Sequence, residues 1–487
     1  MAESDDTRTA LYLAFNKVAA TEAEGKMPDH VECRTTHSMA YAAFGAEYRE
    51  KLSRPKGRGY VNVAGTVAEI TRFFKVKNTG SLSANGISRM VKLTVAAFEC
   101  SADPFISELN IPQHELQKLA LKAEKKDEGF DKQSVVKHVL KLANSLWIER
   151  TTLHSPVLMT HDTYLKMYQL SKPVLEYDVI FLDEAQDTSD CVIDIVMGQT
   201  DHSQVVCVGD SFQAIYGWRG AVNALAKIQS QSTPLSQSFR YGPRVAAVAT
   251  HILDGAMKVR GFDQLDTLVQ AVDKSRPYVM LFRTNAALIE ESIALINQGV
   301  NVLISVDTRA YVKKLEAAAA LYKGDKRMAN KQEDICVFED WEELLEEAYL
   351  VKGELARIVK QVESGAWRKT VKTLGTYNKP WDADVTLTTA HKSKGMEYDQ
   401  VVLADDFPDV MVDDEYHELN DMERNLIYVA ATRAQGCLEL NQTVLDIIEH
   451  RTEGDDRLFK DGFDIAEDRA DMAGYVNDLL LDNEPPF

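Results

Sequence analysis

The residues best placed to do chemistry are two adjacent carboxylates in the string Val179-Ile180-Phe181-Leu182-Asp183-Glu184-Ala185-Gln186-Asp187. Four apolar residues precede them, so a buried strand would deliver both to its exposed end. Hydrolysis of a nucleoside triphosphate needs one carboxylate to hold Mg²⁺, usually through water. It needs another to polarise the attacking water. Asp183 suits the metal and Glu184 suits the water. An isolated Asp-Glu pair would read as an acidic loop at a strand end, and the whole nine-residue string is what argues for chemistry.

A second string follows: Val208-Gly209-Asp210-Ser211-Phe212-Gln213-Ala214-Ile215-Tyr216-Gly217-Trp218-Arg219-Gly220-Ala221. A neutral amide such as Gln213 can report a γ-phosphate by hydrogen bonding. Tyr216 and Trp218 offer flat faces for the bases of single-stranded DNA, although singly each would more often be a core residue. Further on lie Gln237-Ser238-Phe239-Arg240 and Thr388-Thr389-Ala390-His391-Lys392-Ser393-Lys394-Gly395-Met396-Glu397. The last string is Glu423-Arg424-Asn425-Leu426-Ile427-Tyr428-Val429-Ala430-Ala431-Thr432-Arg433-Ala434. Arg240 and Arg433 have the character of arginine fingers, which neutralise charge on a transferring phosphoryl group. Either alone would read as a surface arginine.

These residues need elements to hold them. Short apolar runs at 10–15, 179–182, 205–208, 278–282, 300–304, 385–387 and 401–404 end in polar residues and are followed by helical patterns. That rhythm predicts parallel sheets covered on both faces, with ligands gathered at the carboxyl ends of the strands. Residues 46–154 and 311–380 read instead as helical insertions. The expected organisation is a first sheet domain from 1–45 and 155–245, and a second from 246–310 and 381–450. An acidic, weakly ordered tail would occupy 451–487.

Composition limits the function classes. The chain has 487 residues, 45% hydrophobic and 27% charged, which is ordinary globular composition. Its net charge of −20 argues weakly against nucleic acid, but the charge is uneven. Residues 46–93 carry ten Lys or Arg against three Asp or Glu, whereas 451–487 carry eleven acidic against four basic. A local basic surface is what DNA binding needs, and a solvated face is the plain alternative. No apolar run reaches the length of a membrane span. The acidic start is wrong for a signal peptide. The six cysteines form no CxxC pair and are expected reduced. The expected location is the cytoplasm, on a nucleoid or in a phage-infected host, or the nucleus of a eukaryote.

Together and in order, the strings resemble superfamily 1 DNA helicases of the UvrD/Rep type. DEAQD, GDxxQxIYxWRGA, QSFR, TTAHKSKGxE and YVAATRA are similar to that family's motifs II to VI. Leu13-Ala14-Phe15-Asn16-Lys17 and Thr35-Thr36-His37-Ser38 resemble motifs Ia and Ib, although the Asn-Lys spacing differs by one from the commoner pattern. The segment 159–166 and the run 219–225 look closest to the F-box DNA helicase branch, without an F-box. The resemblance implies an α/β fold of two RecA-like domains, ATP and Mg²⁺ as cofactors, and 3′ to 5′ movement on single-stranded DNA and its junctions with duplex. It implies Asp183 on Mg²⁺, Glu184 on water, Gln213 and Arg240 on the γ-phosphate and Arg433 as the finger. Phe239 would stack on adenine, and Glu397, with Gly395 beside it, would bind ribose. Phe15, His37, Tyr216, Trp218 and His391 would line the DNA path.

One expected part is absent. The phosphate-binding loop reads GxxxxGK followed by Ser or Thr, and no such string occurs in the 487 residues. In the family it lies just upstream of the strand matching 11–15. The expectation is therefore a truncated form, since Glu184, Gln213, Arg240 and Arg433 are all still present. The alternative is a catalytically inactive module that binds single-stranded DNA or a replication or repair partner. The chain closes on Asp478-Leu479-Leu480-Leu481-Asp482-Asn483-Glu484-Pro485-Pro486-Phe487. That acidic end resembles the partner-binding tip of single-strand-binding proteins. A disordered, solubilising tail is the plain alternative.

Overall fold

The apolar runs become strands because each carries enough β-branched and aromatic residues to fill both faces of a parallel sheet. The computed structural model describes residues 8–52, 65–79, 82–125, 130–217, 220–221, 223–228, 230–351 and 353–452. Two compact units result. The first is Met1–Gln229 with Gly324–Trp341, and the second is Ser230–Lys323 with Glu342–Phe487.

In the first unit, β1 (Ala10–Ala14), β2 (Val31–Thr35), β3 (Val179–Leu182) and β4 (Gln204–Cys207) form a sheet in the order β2-β1-β3-β4. Every pairing is parallel. Strand alternation sends Leu11, Leu13, Ile180 and Leu182 into one core with Leu165, Val192 and Ile195. Ala10, Val31 and Val179 fill the other face with Tyr12 and Phe181.

Between β2 and β3 the chain builds a helical layer: Val67–Phe73, Ala84–Cys100, Gln113–Lys125 and Lys132–Thr151. It has its own core around Met90, Val91, Val95, Phe98 and Leu146. A buried ion pair fastens the layer to the next element, the helix His161–Leu170. Arg150 meets Glu99 at 2.9 Å, with both side chains 3% exposed. Glu99 also accepts from the Thr163 hydroxyl at 2.5 Å and the Thr160 hydroxyl at 3.3 Å. Buried charge is tolerable only when paired and hydrogen-bonded in this way. Lys166, on the same helix, is fully buried and donates to the carbonyls of Ser101 and Asp103 at 2.7 and 2.6 Å. Segment Gly324–Trp341 completes this unit. Asn85 donates to the Cys336 carbonyl at 2.9 Å, and Glu333 pairs with Lys92 while accepting from the Val67 amide at 3.2 Å.

In the second unit, six parallel strands stand in the order β5-β12-β9-β6-β8-β7. They are β5 (Leu268–Val269), β6 (Tyr278–Phe282), β7 (Val302–Ile304), β8 (Val385–Thr389), β9 (Tyr398–Leu403) and β12 (Ala434–Glu439). A separate hairpin pairs β10 (Met411–Val412) with β11 (Glu415–Tyr416). Asp413 and Asp414 between them both take positive φ, 53° and 63°, as a two-residue hairpin turn requires. Among the described residues, no helix is long and apolar enough to cross a membrane. The acidic tail from 453 onward and the basic residues Arg54, Lys56 and Arg58 lie outside the described residues.

Lys51 is 5% exposed, and its ammonium caps the end of the helix Lys132–Thr151 through the carbonyls of Glu149 and Thr152. Burial pulls its pKa down to about 8 from 10.5. The charged form therefore costs stability at every pH below about 8, and that cost fades as pH rises toward 10.5. Replacing Lys51 with Met removes this component. The gap between wild-type and Lys51→Met melting temperatures should be flat below pH 8 and should shift in favour of wild type between pH 8 and 10.5. Parallel curves across that window would contradict the burial argument.

Candidate nucleotide and DNA sites

Parallel strands end at one edge of their sheet, and in the first unit that edge collects the residues of interest. Asp183 follows β3, and its amide is fixed by the Leu13 carbonyl at 3.0 Å. Tyr12, on the neighbouring strand, donates its hydroxyl to Asp183 Oδ2. Burial, reinforced by that hydrogen bond, raises the Tyr12 pKa, so the phenol stays protonated and remains a donor. Asp183 Oδ1 has no side-chain partner among the described residues. A hard carboxylate oxygen left available beside a held one fits a Mg²⁺-bound water.

Glu184 sits in the left-handed region at φ 50°, ψ 43°, an uncommon conformation for a residue with a side chain. Gln186, 1% exposed, explains how it is held. Its amide nitrogen donates to Glu184 Oε2 at 2.5 Å, and its oxygen accepts from the Asp210 amide at 3.0 Å. Asp210 then accepts from the Phe212 amide and from the Gln213 side chain, both at 2.9 Å. One chain of hydrogen bonds thus links Glu184 to Gln213. It passes so close to Gly209 that a Cβ there would lie 2.1 Å from Gln186 Oε1. Tyr12, Gln186, Gly209 and Asp210 had no role assigned from sequence. Tyr12 could have been found from strand parity, since it pairs with Phe181, two residues before Asp183.

The same edge presents aromatics. Phe15, 44% exposed, lies against Tyr216 with ring centroids 5.8 Å apart and planes 13° from parallel. His37, on the short helix Thr36–Ala40 after β2, meets Asp162 at 3.1 Å. Trp218 and Arg219 lie outside the described residues.

The second unit brings Arg240, Glu397 and Arg433 together. Arg240 Nε donates to Glu397 Oε1 at 2.6 Å, and the Gln435 amide donates to Glu397 Oε2 at 2.5 Å. Arg433 is 1% exposed. Its guanidinium donates to the carbonyls of Val429 at 2.8 Å and Met396 at 3.3 Å, and to the Thr432 hydroxyl at 3.0 Å. Burial, and then the charge of Arg240, pull its pKa down to about 10, so it remains cationic at neutral pH. Two guanidiniums near one carboxylate leave excess positive charge, which suits an anion. Phe239 is 72% exposed and packs edge-on against Phe262 at 5.3 Å, presenting a flat apolar face. Gly395 takes φ +78°, which favours glycine. His391 follows β8 on the short helix Ala390–Ser393.

The model of the UvrD/REP helicase N-terminal domain matches residues 6–233, and that of the UvrD-like helicase C-terminal domain matches 384–439. The chain belongs to the UvrD/Rep helicase family. It is 30% identical over 471 residues to F-box DNA helicase 1 of Gallus gallus, covering 89% of this chain and 45% of that protein. It is 27% identical over 478 residues to F-box DNA helicase protein 1 of Schizosaccharomyces pombe, covering 89% and 52%. The chain spans about half the length of these relatives. The family domains contain both clusters, except that Phe239 and Arg240 fall between the two matched spans.

The close approach at Gly209 can be tested by substitution. Gly209→Ala should cost about 1–3 kcal/mol by overpacking against Gln186. Truncating Gln186 to Ala removes the nearest obstructing atom and leaves the Ala185 nitrogen at 3.0 Å, so the double variant should be less destabilised than the sum of the singles. Additive losses in urea unfolding would argue against the contact.

Proposed function

We propose that this chain is the motor portion of an ATP-driven DNA helicase that moves 3′ to 5′ along single-stranded DNA. The observation that carries this reading is the hydrogen-bonded chain from Glu184 through Gln186 and Asp210 to Gln213. It joins a water-polarising carboxylate to an amide suited to sensing a γ-phosphate. In an NTPase these two functions must be coordinated.

Asp183 would hold Mg²⁺ through water, and the metal, when bound, neutralises charge on the phosphates. Glu184 would accept a proton from the attacking water. Gln213 and Arg240 would contact the γ-phosphate, and Arg433 would offset charge as the bond to it breaks. Phe239 would stack on adenine, with Glu397 and Gly395 at the ribose. Phe15, His37, Tyr216, Trp218 and His391 would line the path of the strand. Lys and Arg in 46–93 would meet duplex at a junction. The acidic tail would serve a replication or repair partner, in the cytoplasm or a nucleus.

The residues of this chain supply carboxylates and arginines but no GxxxxGK cradle. That observation favours a second reading, a non-catalytic module on single-stranded DNA or a repair partner. The two separate in one experiment. The chain by itself should bind ATP weakly and hydrolyse little. Joined to an upstream segment that carries the cradle, it should gain DNA-stimulated hydrolysis. Glu184→Gln in the joined protein should then abolish turnover and spare ATP binding. If the joined protein binds ATP but shows no DNA-stimulated turnover, the motor reading fails and the binding-module reading stands.

A further inference from the structure

His37 and Asp162 belong to a cluster built around a buried ring. Tyr164, 3% exposed, meets three other rings edge to face. These are His37 at 6.2 Å, Tyr41 at 5.9 Å and His161 at 5.6 Å. The Tyr164 hydroxyl is also hydrogen-bonded to His161 Nδ1 at 3.0 Å. Gly45 admits this packing, because a Cβ there would lie 2.6 Å from Tyr41 and 3.2 Å from Tyr164. Asp162 directly follows His161 in sequence and reaches the His37 ring. It bonds His37 Nε2 at 3.1 Å, and that hydrogen bond, against the opposing effect of burial, holds its carboxyl below the usual carboxylate range.

The base of this cluster is tied by hydrogen bonds to a buried ion pair. Thr160 and Thr163, which cap the helix His161–Leu170, both donate to Glu99, which is paired with Arg150. The top of the cluster is exposed: His37 and Asp162 side chains are 42% and 53% accessible, and His161 is exposed. It stands at the carboxyl end of β2, next to the end of β1 that carries Phe15. An imidazole offers an N–H for a phosphate oxygen and a face for a base. A pre-set pair of imidazoles on the strand-end edge matches a single-stranded nucleic acid.

We propose that His161 is a second DNA-contacting imidazole beside His37, and that Asp162 is the positioning residue that holds the His37 ring for the strand. This rests on the reading of His37 as part of the DNA path, and it extends that path to the helix His161–Leu170. His161 touches DNA directly, while Asp162 acts only through His37.

The test uses the full chain and a fluorescein-labelled oligo-dT, with binding read by anisotropy and folding by melting temperature. His161→Ala should raise Kd roughly fivefold or more, the size of one lost stacking or comparable contact, at unchanged melting temperature. Asp162→Ala should also raise Kd. Asp162→Asn keeps an oxygen for His37 and should bind as wild type does or more tightly. In a His37→Ala background, Asp162→Ala should add nothing. Weaker binding by His37→Ala with wild-type Kd in His161→Ala and Asp162→Ala would keep the path reading and overturn the inference. Tighter binding by Asp162→Ala would overturn the positioning role, since the carboxylate would then merely repel the backbone. An Asp162→Ala defect that persists without His37 would do the same. No oligo-dT binding by the wild-type chain would overturn both.

Discussion

Parallel pairing of β3 between β1 and β4 is the constraint on which the first unit depends. Parallel neighbours must all point the same way, so their carboxyl ends share an edge. Residues far apart in sequence then become neighbours without specific design: Phe15, His37, Asp183 and Gln213 each follow a different strand. Small local devices do the rest. The Leu13 carbonyl fixes the Asp183 amide, Tyr12 holds its carboxylate, and the Val208 carbonyl receives the Ala185 amide at 2.9 Å. Register between strands thereby becomes register between chemical groups.

Seven of the ten strands described in the two parallel sheets were legible in the sequence because buried parallel strands announce themselves as short apolar runs, whereas β2 and β12, which interleave polar residues, were not. The run at 179–182 became β3 with those bounds, and 278–282 became β6. The short strand Leu268–Val269 carried no such run, being two residues at a sheet edge. Strand ends pointed correctly to where polar side chains would gather. What sequence could not reveal was which polar residues meet. Gln186 is two positions from Glu184 and twenty-four from Asp210, and only the packed turn shows that one amide serves both. The Arg150–Glu99 pair was hidden for a similar reason, since two charges fifty-one residues apart in helical segments ordinarily face solvent.

The candidate DNA and nucleotide residues divide by how much they are held. Glu184, Gln213 and Asp183 are fixed by short hydrogen bonds within the first unit. Phe15 and Phe239 are held chiefly by ring contacts and remain largely open, as faces meant to receive a planar group must. Arg433 is the opposite case. It is a buried cation whose hydrogen bonds to Val429, Met396 and Thr432 all go to uncharged oxygens, which preserves its positive charge for an anion at the cost of desolvation.

The segment Gly324–Trp341 has a consequence for the order in which the protein is made. Ala329 and Ile335 are completely buried, and the segment belongs to the first unit although β5, β6 and β7 of the second precede it in the chain. A ribosome delivers residues in sequence, and domains generally fold as units as they emerge. Here the first unit cannot close over its helical layer until residue 341 has emerged, by which time three strands of the other sheet are already outside the tunnel. Synthesis of the two units is therefore interleaved, and a nascent chain stalled before residue 324 would expose the apolar ground that Ala329 and Ile335 normally cover.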